Sequence, residues 1–134
     1  MMVPVELARI IIDERNPEQV VVLKEKNGRR QVPIVIGFVE ATSIQMRIAG
    51  SEPERPMTHD LLASVLRALG AEVECLVIDD LVEGTFFAKL RMQHTANGTV
   101  AVDCRPSDGI ALAVRLAIPM FVDERVFQKA GASQ

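Results

Sequence analysis

The chain has 134 residues, a net charge of −3 and 49% hydrophobic residues, with no Trp or Tyr. That length suits one domain burying about two-thirds of its unfolded surface without staples. The charge offers no basic field to gather nucleic acid by counterion release, and stacking platforms would have to come from the five phenylalanines.

No apolar run approaches the ~18 residues of a membrane span, and Glu6 and Arg9 interrupt the opening stretch. A soluble, cytoplasmic protein without membrane contact is expected. Cys75 and Cys104 sit in strand-like apolar runs and are expected as reduced thiols. The apolar content exceeds what a small domain can cover by itself, which predicts a homo-oligomer.

Residues 3–12 alternate loosely as a strand, Asn16-Pro17 marks a turn, and 19–25 is strongly β-branched. Asn27-Gly28 predicts a tight hairpin into a third strand over 31–36. Beyond Gly37, Ala41, Ile44 and Ile48 recur at helical spacing until Gly50. Pro53 and Pro56 make 51–57 a loop. Thr58 reads as an N-cap, and Leu61, Leu62, Val65, Leu66 and Leu69 form the widest apolar stripe in the chain.

The order then recurs. Strands are predicted near 71–79, 85–92 and 99–104, separated by Glu83-Gly84 and Asn97-Gly98 turns. A helix opens at Pro106, carries Ile110, Leu112, Ala113 and Leu116, and stops before Pro119; a short helix follows over about 123–130. The reading is one α+β domain over 1–134, a duplicated β-β-β-α-α unit with pseudo-repeats at about 3–69 and 71–130. Pairing should be mostly antiparallel, because no β-α-β alternation forces parallel strands.

Sliding the chain along itself by 68 positions lays Glu40 on Asp108 and Arg47 on Arg115, although three of nineteen aligned residues are identical. Each acid lies about 10 Å along its helix from its arginine, too far for a direct pair. A pseudo-twofold axis would instead let Glu40 meet Arg115 and Asp108 meet Arg47 as crossed ion pairs.

Five stretches together carry a resemblance: Pro33-Ile34-Val35-Ile36-Gly37 with Glu40-Ala41, Arg55-Pro56-Met57-Thr58-His59-Asp60, Thr58-His59-Asp60-Leu61-Leu62, Gly84-Thr85-Phe86-Phe87-Ala88, and Asp103-Cys104-Arg105-Pro106-Ser107-Asp108. Over residues 3–130 the chain resembles the bifunctional nuclease family, small domains described as cutting DNA and RNA. The resemblance implies a nuclease with nucleic acid as substrate and assigns no catalytic residues. The family's Gly-Thr-Phe-Tyr-Ala reads with Phe87 here, without the hydroxyl, and its Ser-Asp-Ala reads Ser107-Asp108-Gly109.

Phosphodiester cleavage at neutral pH commonly uses carboxylates to hold Mg²⁺ or Mn²⁺, which activate water and neutralise phosphate charge. Glu40, Asp60, Asp103 and Asp108 are candidate catalytic acids, with Glu40, Asp60 and Asp108 as metal ligands. His59 is a candidate general base or a ligand beside Asp60, although adjacent helical residues diverge by ~100°. Thr58, Arg105, Ser107 and Arg115 are candidate phosphate contacts, aided by free N–H groups at the helix starts.

Simpler roles compete. Acids in a first turn gain about 0.3–1 kcal/mol from the macrodipole without any catalysis. His94 falls in a polar turn, Ser107 lacks an evident activating base, and Lys89 with Arg91 alternates as on a solvated sheet face. The expected function is a metal-assisted nuclease of low sequence specificity. The competing one is a non-catalytic module binding a small anionic ligand or a protein partner.

Overall fold

The computed structural model describes residues 1–94, 96 and 98–131, so Asn97 of the expected turn lies outside the described residues. Two three-stranded meanders make most of the sheet. The first is β1 (Met2–Ile11), β2 (Glu18–Glu25) and β3 (Gln31–Gly37), followed by helices α1 (Phe38–Ile48) and α2 (Thr58–Ala68). The second is β4 (Glu72–Val82), β5 (Thr85–His94) and β6 (Gly98–Cys104), followed by α3 (Pro106–Leu116), β7 (Met120–Asp123) and α4 (Glu124–Lys129).

One seven-stranded sheet results, ordered β3-β2-β1-β7-β4-β5-β6. Every pairing is antiparallel except β4 with β7. The α+β class and mostly antiparallel sheet are as expected, and the second half differs by one strand. β7 joins the meanders by pairing Val122 with Val3 of β1 and with Ile78 of β4. Four residues are too few to show a period, and their apolar character merges with the following helix. The 68-residue shift lays β7 on 52–55, Glu-Pro-Glu-Arg in a loop, so the strand has no counterpart in the first half.

Turn chemistry explains one hairpin and corrects another. Glu83 and Gly84 both have positive φ, 49° and 81°, as the tight turn between twisted strands requires. Asn27-Gly28 instead lies in a longer loop over 26–30, where the Glu25 carboxylate accepts from the Arg30 N–H at 3.0 Å.

Strand alternation builds the core. Val21, Leu23, Val32, Ile34, Leu76, Ile78, Ala88 and Leu90 are buried, while Pro33, Val35, Phe87 and Arg91 on the other face are exposed. Helix α1 packs on β2 and β3, and α3 on β4 and β5. The close approach of α3 depends on Gly109: a Cβ there would run into Leu76 and lie 3.2 Å from Cys104 Sγ. Helix α3 also touches β3, so the curled sheet brings its terminal strand to the helix that follows the opposite edge.

Helix α2 is the exception to the packing. It buries His59 and Ala63, while Leu61, Leu62, Val65 and Leu69 stay on the surface. Cys75 and Cys104 are free thiols; burial raises both, Cys104 to about 11. No helix among the described residues is long and apolar enough to cross a membrane.

Candidate active site at the helix starts

Glu40, Asp60 and Asp108 share one local position. The N-caps of α1, α2 and α3 are Gly37, Met57 and Arg105, which makes each acid the third residue of its helix. Carboxylates there meet the positive end of the macrodipole. Thr58, expected as the cap, is instead the first residue of α2. Asp60 folds back to accept from the Met57 N–H at 2.9 Å, half of a capping box.

The other oxygen of Asp60 accepts from Arg115 Nε at 2.7 Å. The Met57 N–H and the Arg115 guanidinium hold this carboxyl below the usual range. Arg115 is buried, and it also donates to the Ala111 carbonyl at 2.9 Å and to Ser43 Oγ at 3.0 Å. Its guanidinium therefore faces the α1–α3 seam rather than solvent.

Ser43 and His59 continue the chain of bonds. His59 Nδ1 lies 2.9 Å from Ser43 Oγ, and Nε2 lies 3.0 Å from Asp108 Oδ1. Arginine can only donate, so Ser43 Oγ accepts from Arg115 and its own proton goes to His59 Nδ1. In neutral His59 the proton is then on Nε2, donated to Asp108. Asp108 also accepts from Arg105, Nε to Oδ2 at 2.9 Å. Burial pushes the Asp108 carboxyl up, and the bonds from His59 and Arg105 outweigh it, leaving a net lowering.

Arg105 closes the network. Its Nη2 lies 3.3 Å from Asp108 Oδ1 and 3.5 Å from Glu40 Oε2, so two carboxylates from two helix starts flank one exposed cationic nitrogen. The crossed pairs do not form: Glu40 meets Arg105, Asp108 meets Arg105 and His59, and Arg115 meets Asp60. Arg115 lies two turns down α3 from Asp108, beside the start of α2 rather than that of α1. Arg47 donates to the Arg115 carbonyl at 3.4 Å.

The structure thus brings together Glu40, His59, Arg105 and Asp108, with Asp60 and Arg115 beyond Ser43. His59 and Asp60 diverge on the helix, one toward Asp108 and the other toward Arg115. Asp103 lies apart, on the sheet face away from the helices, where Lys89 Nζ is 3.4 Å from its Oδ1. That exposed carboxylate and its lysine match the solvated face read from β5. His94 is half-buried, its Nδ1 accepting from the Ala96 N–H at 3.2 Å. Ser107 is buried as the second residue of α3, and Thr58 is exposed.

Sequence reasoning missed Ser43. It belongs to no motif, and its one signal is a serine inside a helix, three residues from Glu40, where such residues are disfavoured unless their hydroxyl has a partner.

Among the described residues no three His, Cys, Asp or Glu side chains form a group that could hold a metal, because Asp60 is turned toward Arg115. Glu40 with Asp108 fits the other common mode, in which one or two carboxylates hold Mg²⁺ together with substrate phosphate oxygens. Arg105 Nη2 already occupies the place of a cation between them.

Fold and site define an α+β domain whose helix starts present two carboxylates around one arginine. The chain belongs to the bifunctional nuclease domain family, which it matches over residues 21–134. It is 39% identical over 127 residues to an uncharacterized protein of Mycobacterium tuberculosis (strain ATCC 25618 / H37Rv), covering 95% of this chain and 75% of the relative. It is also 27% identical over 111 residues to bifunctional nuclease 1 of Arabidopsis thaliana, covering 81% of this chain and 34% of the relative. Bifunctional nuclease 1 of Oryza sativa subsp. japonica is 23% identical over 118 residues, with 86% and 36% covered. The chain therefore spans about a third of these plant relatives.

Proposed function

We propose that this domain hydrolyses phosphodiester bonds in DNA and/or RNA with low sequence specificity. We also propose that Glu40 and Asp108 take up Mg²⁺ or Mn²⁺ together with the substrate. The observation that carries this reading is the shared contact of both carboxylates with Arg105 Nη2. Two acids at the positive ends of two helices, converging on one cation, suit a site that exchanges that cation when a phosphate arrives.

The ion, when bound, would polarise the phosphate and lower the pKa of a bound water. Arg105 is free to swing outward and take a non-bridging phosphate oxygen, with Ser107 and the α3 N–H groups beneath it. His59 holds Asp108 through Nε2–H, fixing the carboxylate that faces the ion. The Asp60–Arg115 pair, together with Ser43, keeps His59 in place. Thr58 and Asp103 lie outside this arrangement, and any catalytic part for Asp103 would be played on the far sheet face.

A second reading is favoured by one observation: Asp60, Asp108 and Glu40 each already have a cationic partner. A non-catalytic module would keep those pairs and bind a small anionic ligand or protein partner at Arg105. Either way we propose a homo-oligomeric, cytoplasmic protein, supported by the apolar surface of α2 and the two free thiols.

Labelled single-stranded RNA and DNA incubated with purified protein and Mg²⁺, Mn²⁺ or EDTA separate the readings. The nuclease reading expects EDTA-sensitive cleavage that falls at least about 100-fold in Glu40→Gln/Asp108→Asn of verified fold. Cleavage surviving in that variant rejects these acids. No cleavage with any metal selects the binding module.

A further inference from the structure

Beside the carboxylates runs a groove of about 460 Å³. Five consecutive residues, Pro33 to Gly37, line one wall, so β3 presents its edge rather than a face. Among the described residues β3 ends the sheet and has no neighbour on that side. Phe86 forms part of the opposite wall, where β5 has not yet begun to pair with β6, whose ladder starts at Ala88 and Cys104. The starts of α1 and α3 meet at one end, where Gly37, Arg105 and Ser107 line it. Ser107 is 5% exposed, and its hydroxyl has no hydrogen-bond partner among the described residues. A buried hydroxyl opening into a groove at two helix N-termini beside an arginine is matched to an anion.

The rest of the groove is a different environment. Among the described residues Arg105 is the one cation lining it, and Glu18, across from Gly37 in the β2–β3 ladder, stands at the same end and repels a second phosphate. Phe86, Pro33 and Val35 give the groove an apolar lining with an aromatic ring. Building on the nuclease reading, we infer that this groove is a subsite for one nucleotide unit of a single strand. Its phosphate sits on Arg105, Ser107 and the α3 start, and its base lies against Phe86. A duplex keeps its bases stacked and offers none to the groove.

The inference has a quantitative signature, because a single strand neutralised by Z cations binds with a salt slope of about −0.7Z. One arginine gives a slope of about −0.7, far from the steep dependence of a backbone-tracking surface. The experiment is fluorescence anisotropy with a labelled, cleavage-resistant phosphorothioate oligonucleotide in EDTA, as a single strand and as a duplex, across a salt series. The single strand is expected to bind roughly tenfold more tightly than the duplex, and Phe86→Ala to weaken it by roughly tenfold, the value of one base–aromatic stack. Val35 is 58% exposed at the edge, so Val35→Glu tests the groove without touching the core. It is expected to abolish binding.

Equal binding of duplex, a slope of −3 or steeper, unchanged affinity in Val35→Glu, or displacement by polyglutamate as effective as by unlabelled single strand would each overturn the inference. The last would identify an acidic peptide as the occupant. Adding Mg²⁺ or Mn²⁺ with a cleavable strand keeps the two readings apart. Binding without cleavage upholds the groove and removes the nuclease, and cleavage undiminished by Val35→Glu does the reverse.

Discussion

Ser43 is buried between an arginine that can only donate to it and a histidine nitrogen that accepts from it. Removing the hydroxyl leaves His59 Nδ1 without its donor and takes one acceptor from Arg115, whose bonds to Asp60 and the Ala111 carbonyl remain. Ser43→Ala is therefore expected to cost about 1–3 kcal/mol in urea unfolding, the range for orphaned buried polar groups. In ¹⁵N NMR the neutral form of wild-type His59 should carry its proton on Nε2, which Asp108 accepts, and the variant should keep that tautomer while its Nδ1 signal reports the lost hydrogen bond. Asp60 allows a pH test. Its carboxyl is held below 3.8 by the Met57 N–H and by Arg115. A depressed folded value stabilises the fold fully above the unfolded value and is lost as pH falls through the folded one. Asp60→Asn should thus lower the melting temperature at pH 7, with a gap that narrows below about pH 4. A gap independent of pH would show that the charge is not what Asp60 contributes. The other depressed acids, such as Glu25 and Glu124, titrate in both proteins and cancel in the difference.

At the scale of elements, strands were legible because one buried face forces period two, and all six longer ones lie within three residues of expectation. Helix α2 was legible as a helix and misleading as a packing element. Its stripe of Leu61, Leu62, Val65 and Leu69 adjoins the buried His59–Ala63 face around the helix, but the fold covers only the latter. Periodicity states that one side is apolar; it does not state which neighbour covers it. Four such side chains, with Leu69 67% exposed, form a patch of the kind that marks association surfaces. Light scattering is expected to give a multiple of 14.7 kDa for the wild type and 14.7 kDa for Leu61→Ser/Leu69→Ser with unchanged circular dichroism. A wild-type mass of 14.7 kDa would remove the oligomer.

Across the whole molecule, the repeated meanders and the acids at 40, 60 and 108 could be read from residue types, because strand alternation, turn glycines and first-turn acids are local physics acting within a few residues. The partners of those acids could not. Each helix start contributes one carboxylate and no information about direction, so Glu40 with Arg115 was as reasonable on paper as Glu40 with Arg105. The choice was made by β7, whose four residues tie β1 to β4, and by Gly109, whose missing side chain lets α3 sit down on Leu76. Those two contacts set the offset between the helices, and with it they place Arg105 between two acids and Ser43 between Arg115 and His59. The sequence by itself determined the α+β class, the element order apart from β7, and the acids at three helix starts. The tertiary structure alone decided which charges meet, because that depends on distances between residues up to 94 positions apart, which no local pattern encodes.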